Sequence, residues 1–234
     1  RKTNNPFLVY KRLTSLFRDI RPDLLHSQGL RADLYGFLFG RNRLQISSQR
    51  NDPYEDYPAL YGPILGKAIA AIHIWTLRKI TRVITCSQSL TQRNIAYRIK
   101  SDFIRNGIDR SFGNTLGVTP IPLNAETFFR LFQGQHVFLY SGPLVSRKQP
   151  QVLIQAFLEP ELQKNALVIL GEGPLTATCL RIANDAPNIF FAGSVDNVSQ
   201  YLLRSTCYIS ASLSEGLPNS VLEAFRAGLP AILS

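Results

Sequence analysis

Short apolar runs of strand length alternate along the whole chain with longer segments of helix length. This alternation restricts the fold to a parallel α/β sheet. Strands are expected at residues 23–27, 44–48, 83–87 and 102–105, with a long helix over 62–78 leading into the third. A second series is expected at 136–141, 166–170, 189–191, 207–210 and 231–233, with helices over 151–158 and 220–227. The last helix stops at Gly228 with Pro230 just beyond, the usual C-terminal punctuation.

Between the two series, residues 106–134 carry Asn106-Gly107, Gly113-Asn114, Gly117, Pro120 and Pro122, the turn chemistry of a linker. The expected organisation is a first domain at 1–110, a linker at 111–134 and a second domain at 135–234. Two doubly wound halves of this kind take ligands at the carboxyl ends of their strands, in the cleft.

Composition narrows the class. The 45% of hydrophobic residues and 18% of charged ones fit a globular protein with a buried core and not a disordered chain. The longest uncharged apolar run near the middle, residues 68–77, is shorter than the roughly 20 residues a membrane helix needs. Charge is uneven: residues 1–110 carry 19 Lys or Arg against 8 Asp or Glu, and residues 111–234 carry 7 against 8. A basic half suits an anionic lipid surface or phosphorylated substrate, and equally serves as a solubilising face. Its cations (Arg41, Arg43, Arg50, Arg78, Lys79, Arg82) are scattered, unlike a nucleic-acid arm. Cys86, Cys179 and Cys207 have no paired spacing, so they are expected as buried small hydrophobes in a reducing compartment and not as a disulfide or zinc framework. The chain opens on Arg1, contains no Met and ends on a strand-like segment, so segments are expected to be missing at both ends.

Three segments are candidates for chemistry. Ser214-Glu215-Gly216-Leu217-Pro218-Asn219-Ser220 follows a strand and opens a helix that carries Glu223. A helix N-terminus with free N–H groups suits a diphosphate, and carboxylates at these positions suit sugar or ribose hydroxyls. Ser220 and Glu223 also fit a capping box, the commoner explanation for the pair taken alone. Tyr140-Ser141-Gly142-Pro143 leads to Arg147-Lys148, adjacent cations expected at the start of a helix. Cations are unfavourable there unless an anion sits between them, although an Arg-Lys pair alone is most often a solvated surface feature. Gly171-Glu172-Gly173-Pro174 is a glycine turn at a strand end and lacks the Lys and Ser or Thr of a P-loop. His26 ends a strand, where a cleft ligand would lie, whereas His73 falls in an apolar helix.

Taken in order, these segments resemble glycosyltransferase family 4, retaining enzymes of the GT-B fold, from about Pro22 to Ser234. The carriers are Pro22-Asp23-Leu24-Leu25-His26-Ser27-Gln28-Gly29, Ile104-Arg105-Asn106-Gly107-Ile108-Asp109, Gly142 with Arg147-Lys148, Gly171-Glu172-Gly173-Pro174, Phe191-Ala192-Gly193-Ser194-Val195, and the paired Glu215 and Glu223. The resemblance implies two Rossmann-like domains facing a cleft, with both domains incomplete. Arg147 and Lys148 would neutralise the diphosphate leaving group, Glu215 would hold the donor sugar and Glu223 the ribose hydroxyls. Gly142, Gly171, Gly216, Leu217, Pro218 and Asn219 would line the donor site, and Ser194 and Val195 would lie against the base. No metal and no other cofactor is implied. Where the family often has a second His two residues after the first, this chain has Gln28. That departure weighs on the catalytic role implied for His26.

The expected function is therefore transfer of a sugar from a nucleoside-diphosphate sugar to a glycan or lipid-linked acceptor, with retention. The expected location is cytoplasmic, with the basic half against an anionic membrane face and no nucleic-acid partner. A phosphorylase or epimerase on the same fold, and a non-catalytic nucleotide-sugar-binding fragment, are the competing readings.

Overall fold

A computed structural model describes residues 6–40, 43–108 and 120–234 and forms two compact units, Arg1–Arg105 and Asn106–Ser234. The first runs α1 (Pro6–Ile20), β1 (Leu24–Ser27), α2 (Leu30–Phe39), β2 (Leu44–Gln49), α3 (Pro53–Tyr61), α4 (Pro63–Leu77), β3 (Arg82–Thr85), α5 (Gln88–Ala96) and β4 (Ser101–Phe103). Its strands pair in parallel in the order β1-β2-β3-β4, so the described strands wind in one direction. Local chemistry sets the helix starts. Asp52 caps α3 by accepting from the Tyr54 N–H at 2.8 Å, with Pro53 in the first turn, and Ser87 caps α5 by accepting from the Leu90 N–H.

The core of this unit is small and partly polar. Ile74, Leu77, Ile80, Val83 and Ile99 form its apolar cluster. The inward face of β2 carries Gln45, Ser47 and Gln49, all buried. Buried amides need partners. Gln45 donates to the Ser27 hydroxyl (3.0 Å) and the Asp33 carbonyl (3.1 Å), and Gln49 accepts from Asn94 at 2.8 Å.

The second unit runs α6 (Leu123–Leu131), β5 (Val137–Ser141), a 3-10 turn (Ser146–Lys148), α7 (Pro150–Leu158), β6 (Ala166–Leu170), α8 (Thr176–Ala183), β7 (Ile189–Gly193), α9 (Val198–Leu202), β8 (Cys207–Ser210), α10 (Asn219–Arg226) and β9 (Ala231–Leu233). The sheet is parallel with the order β7-β6-β5-β8-β9. The chain therefore steps outward from β5 to β7, then returns to start again beside β5 at β8.

All five residues of β6 are buried, and they alternate between two cores. Leu167 and Ile169 join Ile154 and Phe157 of α7 and Cys179 of α8 on one face. Ala166, Val168 and Leu170 join Ala125 and Phe128 of α6, Tyr201 of α9 and Val221 of α10 on the other. Each large aliphatic side chain so buried contributes about 1.5–3 kcal/mol.

Every expected strand is present, with shifts of one or two residues at the ends. The expected linker differs in part: residues 109–119, including Asp109, lie outside the described residues, whereas 123–131 form α6 and bury Ala125 and Phe128 in the second core. An amphipathic pattern between Pro120-Ile121-Pro122 and Gly134 is short enough to be masked by its punctuation. The three cysteines are buried and unpaired with one another. Among the described residues no helix is long and apolar enough to cross a membrane.

Candidate functional site

In a parallel sheet, ligands bind beyond the carboxyl ends of two adjacent strands whose connections leave in opposite directions. In the second unit those strands are β5 and β8. The loop after β5 carries Gly142 to Lys148, and the loop after β8 carries Glu215. The two loops are joined: the Leu213 N–H donates to the Arg147 carbonyl at 2.9 Å, and Arg147 Nη1 donates to the Ser214 carbonyl.

At the junction, Arg147 Nη1 donates to Glu215 Oε1 at 3.0 Å and Lys148 Nζ donates to the same oxygen. Lys148 is only 8% exposed. Two cations thus converge on one carboxylate in a largely dehydrated place. Such a pair sits there only because its charges and hydrogen bonds compensate desolvation. The expectation that Arg147 and Lys148 open a helix is corrected. They lie in the 3-10 turn, and Gln149 with left-handed φ and ψ separates them from Pro150 at the start of α7. Their anion is Glu215.

The glycines bring the other strand ends close. Gly171 has a φ of +116°, and a Cβ there would lie 2.1 Å from the Gly142 carbonyl oxygen, so only glycine permits this approach. A Cβ on Gly142 would meet the Tyr140 hydroxyl at 3.2 Å and Lys148 Cε at 3.9 Å. Gly142, Gly171, Glu172, Ser194 and Val195 line one cavity of about 290 Å³. The structure therefore gathers Gly142, Gly171, Ser194 and Val195 into one depression, with Lys148 beside it.

On the β8 side, Gly216 and Leu217 follow Glu215 in the loop, and the Asn106 side chain donates to the Leu217 carbonyl at 2.8 Å. Pro218 is the N-cap of α10 and Asn219 its first residue, with no side-chain cap. The capping box between Ser220 and Glu223 is absent. The helix begins too early for Ser220 to cap it, and the Ser220 hydroxyl accepts from Tyr208 at 2.8 Å instead. Glu223 has no side-chain hydrogen bond among the described residues, and burial pushes its carboxyl above the ordinary value. Burial likewise raises the Tyr208 phenol, and the charges of Glu215 and Glu223 both add to that shift. Tyr208 therefore stands within electrostatic reach of both glutamates. Tyr140, raised by burial and also by Glu215, is a second buried phenol, on β5 itself. Neither tyrosine is legible as a site residue from sequence, because an apolar strand hides its polar tip.

His26 belongs to the first unit. It is exposed, with Nε2 2.8 Å from the Ser48 hydroxyl. Gln28, not His26, lines two cavities among the described residues of that unit. Among the described residues no three of His, Cys, Asp and Glu gather as a metal ion would require.

A switch point holding two cations, a carboxylate and an open helix N-terminus has donor groups of the kind that suit a phosphorylated ligand. The family description "Glycosyltransferase Family 4" matches residues 1–112, and "Glycosyl transferases group 1" matches residues 135–234. An uncharacterized glycosyltransferase of Methanocaldococcus jannaschii is 26% identical over 245 residues, 97% of this chain and 60% of that protein. The O-antigen biosynthesis glycosyltransferase WbnH of Escherichia coli is 32% identical over 102 residues, 44% of this chain and 29% of its own length. Among solved structures, Anabaena HepE in complex with UDP matches at TM-score 0.69 and 15% identity, over 98% of this chain and 65% of HepE. Sucrose-phosphate synthase of Thermosynechococcus elongatus matches at TM-score 0.75 and 14% identity, over 96% and 59%. The chain belongs to the family-4 glycosyltransferases and has the GT-B fold. It spans about 60% of the length of the M. jannaschii relative.

Proposed function

We propose that this protein transfers a hexose from a nucleoside-diphosphate sugar to a hydroxyl of a glycan or lipid-linked glycan, with retention of anomeric configuration. The observation that carries the proposal is the convergence of Arg147, Lys148 and Glu215 at the β5/β8 switch point. Arg147 and Lys148 would take the diphosphate and stabilise the charge that builds on it as the glycosidic bond breaks, a contribution of about 10²–10³ in rate for each donor group of this kind. Glu215, released from the cations by the diphosphate, would hold the sugar hydroxyls. Glu223 would hold the ribose. Gly142, Gly171, Ser194 and Val195 would form the wall along the nucleotide, Gly216, Leu217 and Asn219 would present N–H groups to the phosphates, and Pro218, which has no N–H, would set the start of the helix. We assign no metal to this chemistry. HepE has been crystallised with UDP-glucose and a TarM mutant of S. aureus with UDP, fondaparinux and alpha-GlcNAc-glycerol, which supports a nucleotide-sugar donor and a carbohydrate acceptor here.

The first unit carries the basic excess. Leu60, Tyr61, Ile64, Leu65 and Trp75 of α3 and α4 are exposed near Lys67. Exposed apolar side chains in a unit with a basic excess favour an anionic lipid surface, so we propose a lipid-linked acceptor at a cytoplasmic membrane face.

The test is a titration with UDP, GDP and ADP and their hexose conjugates, followed by NMR of the anomeric centre in the product. Saturable binding of one series is expected, weakened at least tenfold by Glu223→Ala and by Arg147→Ala with Lys148→Ala. An inverted product would overturn retention. A folded chain that binds no nucleotide diphosphate would overturn the assignment of the site.

A further inference from the structure

His73 and Asp33 are the most deeply buried ionisable pair of the first unit, 5% and 1% exposed, and nothing in the donor chemistry uses them. Ser27, the last residue of β1, reaches Asp33, and His73 lines a cavity with Gln49, Arg50 and Asn51 at the carboxyl end of β2. Asp33 of α2 accepts from the Ser27 hydroxyl at 2.6 Å through one oxygen and faces His73 Nε2 at 2.8 Å through the other. A carboxylate only accepts, so Nε2 carries the proton. In the neutral imidazole Nδ1 is then a bare lone pair. The Tyr57 hydroxyl lies 2.9 Å from Nδ1 and must donate to it. The whole relay therefore has one polarity, running from Tyr57 through His73 to Asp33. It ends on a phenol oxygen whose proton is spent, which accepts from the Leu30 N–H and keeps a further lone pair to accept from a ligand.

That phenol stands in a wall. Tyr57, Gln28 and Gly29 line a cavity of about 600 Å³ and also its neighbour of about 220 Å³. Tyr35, Tyr61 and Arg31 face the larger one. The larger volume suits a small ligand, and flat rings beside a few polar groups are the usual lining for a sugar. Burial pushes the Tyr57 phenol up to about 12, so it stays protonated at neutral pH and serves as a hydrogen-bonding group and not as a base.

We propose that Tyr57 receives a hydroxyl of the carbohydrate acceptor in this double cavity, and that His73, fixed by Asp33, is the positioning residue that turns the Tyr57 oxygen into an acceptor. This rests on the transferase reading above. It makes the cavity select a hydroxyl donor, which every sugar supplies and an ether or ester oxygen does not.

The test uses the full chain and a panel of methyl hexopyranosides, with binding followed by saturation-transfer NMR, beside a parallel nucleotide titration. Tyr57→Phe removes one oxygen atom, and His73→Leu removes the lone pair. Each is expected to weaken the best glycoside about tenfold and to leave nucleotide affinity unchanged. His73→Asn places a carbonyl near the position of Nδ1 and is expected to restore affinity to within about threefold, a recovery that a merely structural role would not give. Equal glycoside affinity in the wild type and Tyr57→Phe, or no saturable glycoside binding by the folded chain, overturns the proposal. A folded His73→Asn that behaves like His73→Leu overturns the role of His73. Glycoside indifference with intact nucleotide binding defeats this inference alone, and absent nucleotide binding defeats the transferase reading.

Discussion

The inward residues of β6 in the second unit are Ala, Leu, Val, Ile and Leu, whereas those of β2 in the first are Gln45, Ser47 and Gln49. Both strands sit inside parallel sheets, yet one is sealed by apolar packing on two faces and the other by amides and hydroxyls that need particular partners. The strand orders differ too, since the second unit doubles back beside β5 and the described strands of the first run one way. Apolar packing tolerates exchange of one hydrophobe for another, and polar packing fixes geometry. The second unit thus offers a stiff frame whose buried cation, Lys148, and its partner Glu215 sit in the loops at the switch point. The first buries its charge and passes the effect outward to a cavity wall through Tyr57.

The largest test of this contrast is Glu215→Gln. It leaves Lys148 and Arg147 without their shared anion, and we expect unit 2 to lose about 3 kcal/mol, the lower end for breaking a buried pair because Glu215 keeps some exposure. Urea denaturation with and without a saturating nucleoside diphosphate would measure it. The ligand should recover more stability in the variant than in the wild type. Arg82→Ala in the first unit breaks a pair with Asp102 of 3.0 Å that is exposed on both sides, and should lose less than about 1 kcal/mol. Equal losses would dissolve the distinction.

Tyr208→Phe should come next, at about 1 kcal/mol, since only its hydroxyl contacts with Ser220 (2.8 Å) and the Ser141 carbonyl (3.3 Å) disappear. Thermal unfolding would show it, with nucleotide affinity reduced if the phenol supports the glutamates.

Smallest is the effect of Glu223→Gln on stability, and its size depends on pH. The folded carboxyl titrates above its ordinary 4.5, so the folded state favours the protonated form. That contribution is complete below the unfolded value and is lost as pH rises through the raised one. The variant should match the wild type in acid and become the more stable of the two above that window. Its nucleotide affinity should move the opposite way, falling at neutral pH. A denaturation series across pH would reveal either pattern.

The strands and the site loops were legible because burial on both faces forces unbroken apolar runs, and turns force Gly and Pro. Gly142, Gly171, Ser194 and Val195 end up together for that reason: each follows a readable strand. Strand order has no local signature, so nothing in the residues announced that β8 returns beside β5. Ser220 was misread because its partner, Tyr208, lies on another element and Pro218 had already begun the helix. Asp33, Tyr57 and His73 lie on three helices, and a His in an apolar helix says nothing of what it faces.

Glu215 also acts as a resident stand-in for the ligand. Any anion entering the switch point must displace it from Arg147 and Lys148, which weakens phosphate, sulfate and nucleotides alike. The displaced carboxylate then needs donors of its own. Under the proposed function, a sugar joined to the diphosphate would supply hydroxyls in the same step, whereas a bare diphosphate would leave Glu215 stranded. One side chain would then act as a turnstile, admitting the loaded donor in preference to the spent nucleotide and helping to eject the nucleotide once the sugar has gone.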